Sequence, residues 1–216
     1  MRHNLTKMQR CPGCGDYLIH MAIKQAVQEL WIPKEKLVVV TGIGCNSKMS
    51  QYIDCYGVES LHGRGIPFAT GIKLANPELT VISLSGDGDS YWIWVGHLIH
   101  ASRRNIQFVH ITADNENYAL TTGQASPTTP LDIKTRSTPE GNRVQPMHPI
   151  ELAKVAGCGF AEMVIDRDIK KMKETIIAAI KHPWFAHINI QPNQSVKKLQ
   201  LQGSVEPATF CQSLNF

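Results

Sequence analysis

Several features are missing from this chain, and each absence closes off a class of function. No apolar run approaches the ~20 residues that a membrane-spanning helix needs, so no span is expected. The opening segment, Met1 to Lys7, has no apolar stretch of the kind that drives secretion, which points to a cytoplasmic protein. There is no long basic run and the formal charge is only +4, so the charge balance does not call for nucleic acid. No internal repeat is visible, which removes solenoid and propeller architectures. A second C-x-x-C, or a His pair at zinc-finger spacing, is also absent. With six cysteines and no secretory leader, reduced thiols or metal ligands are expected rather than a disulfide framework.

What is present is material for one sizeable core. The chain has 216 residues, 43% of them hydrophobic, which fits a single α/β domain. Apolar residues at helical spacing run from Asp16 to Leu30, and Pro33 ends that helix. Further helices are predicted over 66–75, 92–103, 150–156 and 169–180. Leu37–Thr41, Thr80–Ser85, Phe108–Thr112, Met163–Ile165 and Ala186–Ile190 read as strands, most too continuously apolar to be half exposed. Alternating strands and helices of this kind predict an α/β fold with a doubly wound, mostly parallel sheet. Residues 1–190 form the expected domain and 191–216 a polar tail. The stretch from Thr121 to Pro149, rich in Thr, Pro, Gly and Ser, is the longest expected loop; loops of that length are usually functional or disordered. Trp92 and Trp94 read as helix-packing residues.

Three motifs carry chemistry. Cys11-Pro-Gly-Cys14-Gly precedes every predicted strand, unlike a thioredoxin-type pair, which sits at a strand-to-helix junction. Gly42-Ile43-Gly44-Cys45-Asn46-Ser-Lys48 is a Gly-rich turn directly after a strand, where ligands of such sheets gather. Three thiolates meeting there suit an iron–sulfur cluster, which normally takes four. Cys55 and Cys158 read better as small buried hydrophobes, leaving Cys211 as the remaining candidate.

The third motif, Gly86-Asp87-Gly88-Asp89, lies between a strand and a helix. Its glycines let backbone N–H groups approach a phosphate. Asp87 offers an oxygen to a hard cation, and Asn115, at the end of the next strand, offers another. Mg²⁺ takes six oxygens, met by one or two side chains, a carbonyl, waters and phosphate. The competing reading is a tight turn followed by a loop asparagine. His62-Gly63-Arg64 reads as a phosphate or carboxylate contact, and Lys48 as a point charge for an anionic substrate or simply a surface lysine.

Together with Ala69-Thr-Gly-Ile-Lys-Leu-Ala-Asn-Pro77, His100-Ala-x-Arg-Arg-Asn105 and Leu120-Thr-x-Gly-Gln-Ala-Ser-Pro-Thr128, these motifs resemble, in order, the β subunits of 2-oxoacid:ferredoxin oxidoreductases. The resemblance implies a thiamine diphosphate-binding fold of the pyrophosphate-binding type. It implies a [4Fe-4S] cluster on Cys11, Cys14 and Cys45, and Mg²⁺ on Asp87, Asn115 and the carbonyl of Asn117. Gly44 to Asn46, with Ile43 beside them, would line the cofactor, as would His62, Gly63, Arg64, Gly86, Gly88, Asp89, Ala119 and Leu120. Lys48 would face the substrate carboxylate. The implied reaction is CoA-dependent oxidative decarboxylation of a 2-oxoacid, with 2-oxoglutarate favoured over pyruvate, and electrons passing singly to ferredoxin. The glutamate that activates the cofactor in this family comes from an α subunit, so the chain is expected to be inactive alone. Two departures stand out. Pro192 is followed by Asn193 where the family has a cluster-ligating Cys, while Cys211-Gln-Ser-Leu-Asn215 resembles the segment after that Cys. Ser90-Tyr-Trp-Ile-Trp94 is bulkier than the small residues usual there. The alternatives are a non-oxidative thiamine-dependent decarboxylase or synthase subunit, and a degenerate, non-catalytic paralogue.

Overall fold

A computed structural model describes residues 13–191, so Cys11, Cys211 and the tail from Pro192 onward lie outside the described residues. Six strands form one all-parallel sheet: β1 (Leu37–Thr41), β2 (Tyr56–Glu59), β3 (Thr80–Gly86), β4 (Val109–Ala113), β7 (Phe160–Ile165) and β8 (Ala186–Gln191), in the order β2-β1-β3-β4-β8-β7. Two further strands, β5 (Asn117–Tyr118) and β6 (Gln124–Ala125), make a small antiparallel hairpin. The expected α/β, doubly wound architecture is present.

The sheet is sandwiched between two apolar layers. On one face α1 (Asp16–Glu29) and α6 (Ile169–Lys181) pack Ile19, Ile23, Met172 and Ile176 against Ile82, Leu84, Ile111 and Ile188. On the other, α3 (Gly65–Ala75), α4 (Val95–Arg104) and α5 (Pro149–Val155) place Ile66, Leu98 and Ile150 against Val38, Val40 and Val81. Each layer follows from helical periodicity facing strands whose inner residues cannot stay wet.

Between β1 and β3 the strand order reverses: β1 leads to β2 on one side, while β3 and β4 lie on the other. A crevice opens at such a switch point, at the carboxyl ends of the strands. The loop Gly42–Lys48, which leads into the short helix α2 (Met49–Tyr52), and the turn after β3 both face it.

The fold departs from the sequence-based expectations at four points. The helix predicted from Trp92 begins only at Val95, because Gly88–Trp92 forms a π-helical turn and Trp94 adopts φ +71°. A bulky residue in that left-handed region interrupts a helix and is strained there. Trp92 and Trp94 are not core residues either; they are 66% and 53% exposed. Strand β2 was not foreseen, because an edge strand with mostly exposed residues carries neither an apolar run nor clean alternation. The long loop is ordered by its own hydrogen bonds: Asn142 Nδ2 donates to the carbonyls of Thr129 (2.7 Å) and Val144 (2.9 Å).

Candidate functional site

The turn after β3 brings Asp87 and Asp89 into the crevice, both about 3% exposed. Asp89 faces the end of β1. Its Oδ1 accepts from the Gly63 N–H at 2.5 Å and lies 2.5 Å from His62 Nδ1, while its Oδ2 is buried with no hydrogen-bond partner. The His62 nitrogen lies close but is not aligned as a hydrogen bond, since it too counts as unsatisfied. Gly42 permits this arrangement, because a β-carbon there would overlap Asp89 Oδ2. Gly88 serves the same purpose for Tyr118, whose ring occupies the space a side chain would need and whose hydroxyl donates to the Gly88 carbonyl at 3.4 Å. Burial, and then the neighbouring Asp87 and Asp89, push the Tyr118 phenol up to about 12.

Asp87 sits beside a second buried carboxylate, Asp114, at the end of β4. Thr128 links them: its Oγ1 is 3.1 Å from Asp87 Oδ2 and 2.7 Å from Asp114 Oδ1. Burial first and Asp114 second push the Asp87 carboxyl up to about 7, against the Ser126 and Thr128 hydroxyls and the Gly88 N–H, which favour its ionised form. Asp114 also accepts from the Glu116 N–H at 3.1 Å and from Asn189 Nδ2 at 3.0 Å. Two carboxylates this deep and this close are stabilised by a cation or a shared proton.

Other oxygens in the segments around the crevice lack partners. Asn46 Oδ1, in the loop after β1, and Asn117 Oδ1, in β5, are buried and unsatisfied. Buried amide oxygens without donors are costly in a finished core. Among the described residues, no three His, Cys, Asp or Glu side chains gather as a metal site. A hard cation here would therefore draw on one carboxylate together with amide, backbone and phosphate oxygens, a donor set that suits Mg²⁺. The residues present fit a diphosphate and its cation.

The remaining expected residues fall as follows. Ile43, Lys48 and Leu120 are exposed on the loops, and Gly44 and Ala119 are partly buried there. Asn115 is exposed and its Oδ1 accepts from the Asn117 N–H at 3.2 Å. Arg64 contacts the start of α4. Its guanidinium carbon lies 3.8 Å from the ring centroid of Trp94, and its Nη1 is 2.8 Å from His97 Nε2. Cys14 lies two residues before α1, beside the loop after β7, where Arg167 Nη2 donates to the Gly13 carbonyl at 3.1 Å. Cys45 lies in the loop after β1; both cysteines are half-buried at the carboxyl edge of the sheet. Cys55 and Cys158 pack against the two apolar layers as expected, and burial pushes the Cys55 thiol up to about 11.

Sequence reasoning missed Thr128, Ser126 and Tyr118 and gave Asp114 no role. The available signal was that Asp114 immediately precedes Asn115, and that Ser126-Pro-Thr128 closes the Leu120–Thr128 motif.

A parallel sheet with phosphate-receptive turns at its switch point has the architecture of the phosphate-binding, doubly wound α/β domains. The family model described as thiamine pyrophosphate enzyme, C-terminal TPP binding domain, matches residues 42–190. The 2-oxoacid:ferredoxin oxidoreductase subunit beta of Saccharolobus solfataricus is 47% identical over 182 residues, covering 83% of this chain and 60% of that protein. The 2-oxoglutarate synthase subunit KorB of Methanothermobacter marburgensis is 32% identical over 203 residues, covering 93% and 71%. A solved 2-oxoglutarate:ferredoxin oxidoreductase from Magnetococcus marinus, with 2-oxoglutarate, coenzyme A and succinyl-CoA bound, superposes with a TM-score of 0.84 at 35% identity, covering 86% of this chain and 64% of that one. The chain belongs to the thiamine pyrophosphate enzymes, among the β subunits of the 2-oxoacid:ferredoxin oxidoreductases. It spans about six-tenths of the length of the Saccharolobus relative. No helix among the described residues is long and apolar enough to cross a membrane.

Proposed function

We propose that this chain is the cofactor-binding β subunit of a 2-oxoacid:ferredoxin oxidoreductase that oxidatively decarboxylates a 2-oxoacid, with 2-oxoglutarate the preferred substrate, in complex with an α subunit. The observation that carries the reading is the turn after β3 at the switch point, where Asp87 meets a second carboxylate and Asp89 Oδ2 is buried without a partner. Asp87, Asn115 and the carbonyl of Asn117 would hold Mg²⁺. The loop Gly44 to Asn46, with His62, Gly88 and Asp89, would line the diphosphate. The Gly63 N–H holds Asp89 against the end of β1, with His62 Nδ1 beside the same oxygen, keeping that wall of the crevice in place.

Thiamine diphosphate, when bound, supplies the carbanion chemistry of 2-oxoacid decarboxylation, and a [4Fe-4S] cluster supplies the one-electron outlet. Cys14 and Cys45 lie at the carboxyl edge of the sheet and would take two of the cluster positions, with Cys11 and Cys211 the candidates for the others. Lys48, exposed at the end of the β1 loop, places a positive charge suited to a substrate carboxylate. Coenzyme A and ferredoxin complete the expected set of partners.

The test is anaerobic co-purification with the α subunit, followed by visible absorption and low-temperature EPR before and after addition of 2-oxoglutarate and coenzyme A. The expected result is a brown protein that bleaches and gains a reduced-cluster signal with 2-oxoglutarate more readily than with pyruvate. Iron-free protein that still decarboxylates would overturn the electron-transfer reading in favour of a non-oxidative enzyme. Iron-free protein without turnover would identify a non-catalytic subunit.

A further inference from the structure

Thr128 occupies a position with one proton and two claimants. Its hydroxyl reaches both Asp114 Oδ1 (2.7 Å) and Asp87 Oδ2 (3.1 Å), but a hydroxyl can donate to only one acceptor at a time. Asp114 does not depend on it, because the Glu116 N–H serves its Oδ1 and Asn189 Nδ2 its Oδ2. Asn189 is fixed in turn by the Tyr91 hydroxyl, which donates to its Oδ1 at 2.7 Å, and Tyr91 lies 3.0 Å from His187 Nε2. A connected path of buried side chains therefore runs from the middle of the sheet to Asp87. Thr128 is its last member. The Ser126 N–H donates to Thr129 Oγ1 at 2.8 Å, and Thr129 Oγ1 donates to the Glu116 carbonyl at 2.5 Å, so the turn carrying Thr128 is tied to the end of β4.

Resting on the cation-site reading above, we propose that Thr128 is a positioning residue for the divalent cation: its hydroxyl, released by the donors that already serve Asp114, donates to one carboxylate oxygen of Asp87 and so leaves the other oxygen set for the metal. Residues that orient a metal ligand without touching the metal typically contribute 10- to 100-fold in affinity. The hydroxyl is the functional part of Thr128. Serine retains it, whereas valine keeps the shape and removes it.

The experiment measures Mn²⁺ affinity, by the EPR signal of free Mn²⁺ in the presence of thiamine diphosphate, on the full chain co-purified with its α subunit. Thr128→Val is expected to weaken Mn²⁺ binding about 10- to 100-fold. Thr128→Ser is expected to restore most of it, and Asp87→Asn to abolish it. Should the valine variant fail to fold, Thr128→Ala is expected to show the same weakening. Wild-type affinity in the valine or alanine variant, alongside loss in Asp87→Asn, would overturn the role of Thr128 and leave the cation site standing. Equal weakening by serine and valine would also overturn it, since the hydroxyl would then not be the active group. Unchanged affinity in Asp87→Asn would instead bring down the cation-site reading itself.

Discussion

The two faces of the central strands are built for different ends. Toward α1 and α6, strands β3, β4 and β8 present Ile82, Leu84, Val109, Ile111, Ile188 and Ile190, an unbroken hydrocarbon surface. The alternate residues face the other way and include Ser83, Ser85, His110, Thr112, His187 and Asn189, all buried. The register aligns these into two polar rungs across three strands, Ser83–His110–His187 and Ser85–Thr112–Asn189. The rungs are bonded to the π-helical turn: Ser90 Oγ lies 3.1 Å from His110 Nε2, and the Thr112 hydroxyl donates to Ser90 at 3.0 Å. The imidazoles of His110 and His187 stack with ring centroids 5.4 Å apart. One face excludes water and stabilises the fold. The other accepts the cost of buried polarity and uses it to hold the turn that carries Asp87 and Asp89.

The largest effect should come from damaging the hydrocarbon face. Ile111→Ala leaves a cavity under α1 and α6 and is expected to cost about 2–5 kcal/mol in urea unfolding. Mn²⁺ affinity of the folded protein should be nearly unchanged. A cation affinity that falls in step with stability would show that the two faces are not separable.

Legibility follows the same division. The hydrocarbon face was readable in advance, because continuous runs such as Leu37–Thr41 announce buried parallel strands and Gly86-Asp87-Gly88-Asp89 announces a phosphate-receptive turn. The polar face was hidden. His110, His187 and Asn189 look like isolated polar residues in apolar runs until the strand register sets them side by side. Asp114 bonds partners 14 and 75 residues away, Thr128 and Asn189, and no local pattern reports contacts at that separation. Thr128 was further masked by its surroundings, a Thr- and Pro-rich stretch that reads as a long loop.

A second, smaller effect separates the faces by pH, since only the polar one titrates. Burial, with a minor contribution from His187, pushes His110 well below its usual value; burial lowers His187 to about 4. Neutral imidazoles contribute stability above 6.5, and this is lost as the pH falls toward 4, because the unfolded chain takes up protons that the fold refuses. Asp87 acts in the opposite sense. Its carboxyl, raised from 3.8 to about 7, favours the fold at low pH, and that contribution is lost as the pH rises through the same interval to about 7. In chelator, without divalent ions, two histidines oppose one aspartate, so thermal stability should rise only gently from pH 4 to 6.5. Asp87→Asn should steepen that rise, and His187→Asn should flatten it. Identical pH profiles in all three proteins would show that the polar face carries no such charge balance.

The smallest change sharpens the contrast most. Tyr91 is fully buried, and burial, reinforced by Asp114, pushes its phenol well above its usual value, so it remains a donor throughout the working range. Its one proton goes to Asn189 Oδ1 at 2.7 Å, which requires His187 Nε2 to donate to the phenolic oxygen and leaves His187 Nδ1 as the buried atom without a partner. Tyr91→Phe preserves the ring and its packing and removes only this junction. The expected stability cost is on the order of 1 kcal/mol, well below that of Ile111→Ala. Without the hydroxyl, however, the Asn189 amide is no longer held with its Nδ2 toward Asp114, and Asp114, short of that donor, competes with Asp87 for the Thr128 proton. Mn²⁺ affinity should therefore fall several-fold in Tyr91→Phe although the residue lies two hydrogen bonds behind Asp114. A variant that loses stability as severely as Ile111→Ala, with cation affinity intact, would make the polar rungs another part of the core and leave the turn to hold itself.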